Sequence, residues 1–447
     1  MEKILEGAYK PEPAVHYKIA KENGGIRDIM VFAIPDAAVA TLFHKRITER
    51  NLNLLSANCF SYRPDRNIFD AVLQVKSALS DRKVYVVQYD FSKYFDSIHH
   101  SYIQKIVNDR NSFIITTAER AVITSLLTHR YATRDAYTKK DFTIRTMGVP
   151  QGCSLSLVLS NVAAHELDKA LEISNGQFVR FADDVLAIAY SYDDALRMTT
   201  IFNDHCKLSG ISINHEKSPG IMRLNGKKGI AVRRFFVEHG EGDRISAINE
   251  FDYLGHKFRH DQVLMSTRAL RRIKRRISKI IHLHLLRSPR SQKLFSTRRI
   301  GQPFFDWDLV TCLNEIRRYA YGELFESQIN AFLEHDVRLP KVRGLMSFYP
   351  LVTSLEQLSM LDGWLLSVLR RALREREKAL AALGVEYSRP KIADLIDGKW
   401  YAEEGIKNET QLPSFVRGWR AARKYYFRYG LKDIKPPSYY SILMSYL

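Results

Sequence analysis

Cysteine is scarce: the 447-residue chain holds four, Cys59, Cys153, Cys206 and Cys312, each isolated from the others. That scatter offers neither a disulfide framework nor zinc-ligand spacing. Long apolar runs are missing too, and no stretch approaches the roughly 20 apolar residues that span a bilayer. The opening MEKILEGAYKPEPAVHYK lacks the apolar core and cleavage site of a signal peptide, so a cytoplasmic location without a membrane partner is expected. Acidic residues are in deficit, 49 Asp and Glu against 68 Lys and Arg, which leaves a net charge of +19. An excess of that size points to a polyanionic partner, nucleic acid above all.

What is present is the patterning of a globular protein, with 45% hydrophobic residues and no repeat or low-complexity tract. NGGIRDIMVFAIPD predicts a hairpin followed by a helix from about Asp36 to Arg50. KVYVVQYDFSKYFDSI predicts a strand ending at Asp90, with Val84 to Val87 filling both faces as in a buried strand. TMGVPQGCSLSLVLSNVAAHELDKALE predicts a Gly-Pro-Gly loop opening into one long helix. SYDDALRMTTIFNDHCKLSG predicts a helix closed by Gly210. The pattern to about residue 260 is therefore mixed helix and strand. Beyond it STRALRRIKRRISKI reads as a basic amphipathic helix, its apolar stripe Leu270, Ile273, Ile277 and Ile280 set among arginines and lysines. The remainder reads as helical, and Thr353 with Glu356, or Ser354 with Gln357, predicts a capping box before an apolar stripe from Leu358 to Leu369.

The stretch FVRFADDVLAI places Asp183 and Asp184 side by side in an apolar run. It reads as two strands meeting at a tight hairpin with the aspartates at the bend. Carboxylates held there need a compensating cation, either basic side chains or a metal. Asp90, at the end of its own strand, can face them if the two strands are neighbours. Three converging carboxylates repel one another, and divalent cations resolve that conflict. A pair of Mg²⁺ ions would suit phosphoryl transfer, which needs positioning and charge neutralisation more than a covalent nucleophile.

These residues resemble the reverse transcriptases. YDFSKYFD is similar to the first palm motif, VPQGCSLSLVLSN to the second, FADD to the metal-binding hairpin, and INHEKSP with FDYLGHKF to the segments that follow. FSYRPDRNIFDAV resembles the fingers segment of bacterial and group II intron members. The resemblance covers roughly residues 20 to 280 and implies an α+β right-hand polymerase: fingers, a palm with an antiparallel sheet, and a thumb, followed by an α-helical C-terminal domain. It implies boundaries of 1–260 for fingers and palm, 261–285 for the thumb helix and 286–447 for the C-terminal domain. It makes Asp90, Asp183 and Asp184 the catalytic acids and, with Phe91, the metal site for Mg²⁺ or Mn²⁺. Phe95, Gln151, Gly152, Arg63, Arg27 and Lys217 would contact the incoming nucleotide, Phe95 as the bulky side chain beneath the sugar that disfavours a 2′-hydroxyl. Arg268, Arg271, Arg272, Lys274, Arg275, Arg276 and Lys279 would hold the primer-template duplex, with Leu254 and Gly255.

SLSLVLSNVAAHELD, LNEIRRYAYGELFE and GLMSFYPLVTSLEQLSMLDGWLLSVLRRAL resemble the abortive-infection and unknown-group reverse transcriptases of bacterial anti-phage defence. The implied function is RNA-directed DNA synthesis in defence, copying an associated non-coding RNA. The implied partners are an RNA template, a DNA product and deoxynucleoside triphosphates, with oligomerisation open. Two alternatives stand beside it: template-independent or protein-primed synthesis at the same site, for which the C-terminal tyrosines are candidates, and an RNA-binding splicing cofactor.

Overall fold

Apolar side chains on both faces of a strand can only be satisfied inside a covered sheet, and the run from Val84 does become such a strand. The computed structural model describes residues 2–20, 25–79, 84–109, 111–214, 216, 218–225, 235–237, 244–291, 300–301, 305–401 and 410–430. Lys217 and the last three tyrosines, Tyr439, Tyr440 and Tyr446, lie outside the described residues. The chain divides into two units, Met1–Glu250 and Phe251–Leu447.

In the first unit a small sheet is built from β1 (Ala14–Ala20), β2 (Ile26–Val31), β4 (Arg130–Thr133) and β5 (Thr143–Ile144), in the order β2-β1-β4-β5. The larger sheet centres on β3 (Val84–Ser92), which is antiparallel to β7 (Asp184–Ala189) on one side and to β9 (Gly220–Leu224) on the other. β6 (Gln177–Phe181) flanks β7, while β11 (Arg244–Ile248) and β10 (Phe235–Val237) extend the far side. The two-residue β8 (Ser212–Ile213) pairs with the end of β3. Helix Tyr192–Ser209 packs against this sheet; the Ser191 hydroxyl accepts the Asp194 N–H at its start, and Gly210 ends it at φ +77°.

The helix expected after the Gly-Pro-Gly loop is two helices, Leu155–Ala163 and His165–Ile173, because Ala164 leaves helical geometry at φ −91°, ψ 0°. The strand expected to stop at Asp90 continues to Ser92, since β8 supplies a hydrogen-bonding partner for its last residues.

The second unit opens with a three-stranded antiparallel sheet, β12 (Phe251–Tyr253), β13 (His256–Phe258) and β14 (Val263–Met265). Helices follow, chiefly Thr267–Ile281, Trp307–Tyr321, Glu326–His335, Glu356–Ala381 and Phe415–Tyr429. Buried Arg376, on Glu356–Ala381, ties that helix to the start of Trp307–Tyr321 and to the turn after Thr267–Ile281: its guanidinium bonds both carboxylate oxygens of Asp306, one of Asp308 and the Leu285 carbonyl. The capping box does not form. Thr353 and Gln357 instead bond the backbone of β14, Thr353 Oγ1 accepting the Val263 N–H at 3.1 Å and Gln357 the Met265 N–H at 2.8 Å. An unpaired strand edge offers stronger demand for those groups than a solvated helix start.

Candidate active site

The three candidate acids owe their positions to strand register. β3 and β7 pair so that Asp90 stands directly opposite Asp184. Directly opposed side chains share a face with Cβ atoms about 4.5–5.5 Å apart. β6 and β7 are joined by the two-residue turn Ala182–Asp183, with Phe181 opposite Asp184. Asp183 therefore sits at the bend, one residue along the chain from the Asp90–Asp184 pair. All three acids are half-buried, and two carboxylates about 5 Å apart, the spacing strand pairing gives Asp90 and Asp184, repel by about 3 kcal/mol at an effective dielectric near 20.

The backbone of Asp90 is fixed from a third segment. Its N–H donates to Ser218 Oγ at 3.0 Å, and its carbonyl accepts the Asn214 N–H at 2.8 Å. Beneath it, Phe91 packs on Tyr94, Phe202 and His205, with ring centroids 5.6, 6.4 and 6.0 Å away. Burial holds the His205 imidazole down at about 4, so this floor is uncharged at neutral pH.

The loop from Gly148 to Cys153 closes on the turn that follows β3. The Val149 N–H donates to the Phe95 carbonyl at 2.6 Å and the Gly148 N–H to the Ile98 carbonyl at 2.8 Å. A β-carbon on Gly148, at φ +75°, would stand 2.6 Å from the Phe95 and Asp96 carbonyl oxygens, so only glycine allows this approach. The Gln151 amide donates to Asp96 Oδ2 at 2.8 Å, and Arg145 donates to Asp96 Oδ1 at 3.1 Å. Gly152, at φ +101°, lies against β2: a β-carbon there would be 2.5 Å from the Met30 carbonyl oxygen. The Met30 N–H in turn donates to the Gln151 carbonyl at 2.7 Å.

The structure thus brings Asp90, Phe91, Asp183 and Asp184 to one end of β3, β6 and β7, and Phe95, Gln151 and Gly152 to one loop junction. Phe95 is half-buried and packs edge-on against Tyr94 at 5.9 Å. Arg27 is half-buried on β2, three residues from Met30, or about 10 Å along an extended strand. Arg63 is a correction. Its side chain is 5% exposed, and its guanidinium makes five hydrogen bonds, two to Asp65 and three to the carbonyls of Leu52, Ser56 and Cys59. A fork with its donors so engaged shapes this loop and is not poised to grip a triphosphate; the nearby Asp65 was the signal.

Leu254 and Gly255 form the turn between β12 and β13, both at positive φ, +48° and +75°, as a two-residue turn of that twist requires. On the Thr267–Ile281 helix, Arg268, Arg271, Arg275 and Lys279 are exposed and fall on one stripe at spacings of three and four. The other three are partly covered: Lys274 lies over the Trp364 ring at 5.5 Å, Arg276 faces Glu315 at 3.7 Å, and Arg272 is half-buried. Sequence reasoning missed Asp96, Arg145, Asp168 and Arg180, the last visible as a lone cation inside the apolar FVRFADD.

Among the described residues, no group of three His, Cys, Asp or Glu side chains is gathered closely enough to form a ready-made metal site. The donor chemistry nonetheless fits a hard divalent cation. Mg²⁺ is held through one or two carboxylates plus substrate phosphates and water, not by an all-protein cage.

A family model described as reverse transcriptase (RNA-dependent DNA polymerase) matches residues 19–258, more than half of the chain. Protein YkfC of Escherichia coli (strain K12) is 31% identical over 177 residues, covering 38% of this chain and 44% of its own length. The putative COX1/OXI3 intron 2 protein of Saccharomyces cerevisiae is 26% identical over 174 residues, 38% of this chain and 19% of its own length. The chain thus spans less than half the length of either relative. Among solved structures, apo telomerase from Candida tropicalis aligns at 12% identity with a TM-score of 0.43, covering 83% of this chain and 64% of that one. Telomerase from Candida albicans, in complex with a fragment of telomeric RNA, aligns at 10% identity with a TM-score of 0.42, covering 86% and 63%. By the extent of the family match, and in keeping with the mixed helix-and-sheet fold read from the sequence, this chain is a member of the reverse transcriptase family.

Proposed function

We propose that the protein is an RNA-directed DNA polymerase whose catalytic acids are Asp90, Asp183 and Asp184. The observation that carries the reading is the β3–β7 register, with Asp90 opposite Asp184 and Asp183 at the adjoining bend. Those carboxylates, with the Phe91 backbone beside them, would hold Mg²⁺ or Mn²⁺. When bound, two such ions supply an activated attacking hydroxyl and charge neutralisation for the departing pyrophosphate.

The chain's own residues do the positioning. Ser218 and Asn214 fix the Asp90 backbone, and Asp96 holds the Gln151 amide at the loop junction where the incoming sugar would lie. Phe95 would exclude a 2′-hydroxyl at that junction. The exposed stripe Arg268, Arg271, Arg275 and Lys279 would contact duplex phosphates without reading sequence, with Leu254 and Gly255 presenting backbone to the primer.

The biological setting we propose is bacterial anti-phage defence, with an associated non-coding RNA as template. Its support is the resemblance of the second unit's LNEIRRYAYGELFE and GLMSFYPLVTSLEQLSMLDGWLLSVLRRAL to the abortive-infection class. The test is incorporation of labelled deoxynucleotides on a primed RNA with Mg²⁺. We expect product from the parent and at least a 100-fold loss in Asp183→Asn, of the order that removal of a group acting on the transition state produces. No product on any template, or product undiminished by the substitution, would return the chain to the RNA-binding scaffold reading.

A further inference from the structure

The bend that carries Asp183 is built on an unfavourable residue. Ala182 has φ +61°, a left-handed conformation that side chains with a β-carbon avoid. Both sides of this residue are pinned from elsewhere. Its N–H donates to Ser61 Oγ at 2.8 Å, and its carbonyl accepts from Arg180 Nη1 at 3.3 Å. Neither contact is incidental, because Arg180 is wholly buried with its whole fork engaged. Nε and Nη2 donate to the two Asp168 oxygens at 2.7 and 2.6 Å, Nη1 to Asn161 Oδ1 at 3.1 Å, and Nη2 to Cys59 Sγ at 3.1 Å.

The backbone repeats the connection. The Phe60 N–H donates to the Arg180 carbonyl and the Arg180 N–H to the Asn58 carbonyl, each at 2.9 Å, while the Asn161 amide donates to the Ser61 carbonyl at 2.9 Å. The loop at 58–61, the two helices after the Gly-Pro-Gly loop and the β6–β7 hairpin therefore meet at one buried guanidinium. A buried ion pair is a poor stabiliser for its desolvation cost, whereas it fixes geometry well.

We propose that Ser61 and Arg180 are positioning residues that hold the Ala182 turn in its left-handed form and thereby set where the Asp183 and Asp184 carboxylates stand. This rests on the reading of those two acids as catalytic. The loop containing Phe60 and Ser61 would then tune catalysis without touching substrate.

The test compares the full-length parent, Ser61→Ala, and Ser61→Ala combined with Ala182→Gly, since glycine adopts positive φ without penalty. Three quantities are measured: kcat and KM for deoxynucleotide incorporation, hydrogen exchange at the hairpin amides, and the thermal midpoint. For Ser61→Ala we expect kcat to fall about tenfold with KM nearly unchanged, as a small misplacement of catalytic groups produces. Exchange at the Ala182 amide should quicken, and the glycine should return kcat to within about threefold of the parent. Unchanged kcat and exchange in Ser61→Ala would overturn the proposal, as would failure of the glycine to restore kcat in a folded double variant. Should the parent synthesise no DNA, the catalytic reading fails separately; the exchange measurement then decides alone, and unchanged protection at Ala182 overturns the clamp.

Discussion

Three carboxylates and one aromatic ring define the proposed site at the scale of single residues. Asp90 and the Asp183–Asp184 pair were legible in the sequence because charge in the middle of an apolar run demands an explanation. The bidentate grip on Arg180 by Asp168 was not, because an aspartate in a helical run such as HELDKALE reads as a solvated face until the fold buries it. Arg63 shows the converse: an arginine beside a turn looked available for phosphate, yet Asp65 and three carbonyls consume its donors. Phe95 yields the sharpest prediction at this scale. If its ring stands beneath the incoming sugar, Phe95→Val opens space for a 2′-hydroxyl. Ribonucleotide incorporation relative to deoxynucleotide should then rise at least about tenfold, the order of effect expected when a packing contact of 1–3 kcal/mol is removed from a specificity pocket. An unchanged ratio in paired single-nucleotide extension assays would make Phe95 a core aromatic only.

At the scale of elements, the strands and caps followed local pattern, while departures arose where tertiary partners competed. Thr353 with Glu356, or Ser354 with Gln357, had the spacing of a capping box, but β14 claimed Thr353 and Gln357. The two-residue turns at Ala182–Asp183 and Leu254–Gly255 each put a side-chain-bearing residue at positive φ, which no propensity scale would choose and only surrounding contacts can enforce. The Thr267–Ile281 helix was legible in full, since its apolar residues Ile273, Ile277 and Ile280 are buried as the periodicity required. Its exposed stripe carries a prediction: Arg271→Glu with Arg275→Glu should weaken binding of a primed RNA template at least about tenfold and lower the slope of log affinity against log salt by about 2. Fluorescence anisotropy across a salt series checks it, and an unaltered slope would show that these side chains meet no phosphate.

For the molecule as a whole, the order of motifs was sufficient to suggest the family whose model matches residues 19–258, and the net charge of +19 agrees with a polyanionic partner. The same sequence could not show that the loop around Ser61 reaches the β6–β7 hairpin, because that contact depends on how β6 is approached in space. Everything proposed for the site depends on acids remote in the sequence acting on one shared cation. The most direct measurement is anomalous scattering from crystals of the full-length protein grown with Mn²⁺, a primer-template and a non-hydrolysable deoxynucleotide analogue. The account predicts an Mn²⁺ peak within coordination distance, about 2.0–2.3 Å, of carboxylate oxygens from both Asp90 and Asp183. A bound nucleotide whose metal peak touches neither acid, or only one of the two, would contradict it.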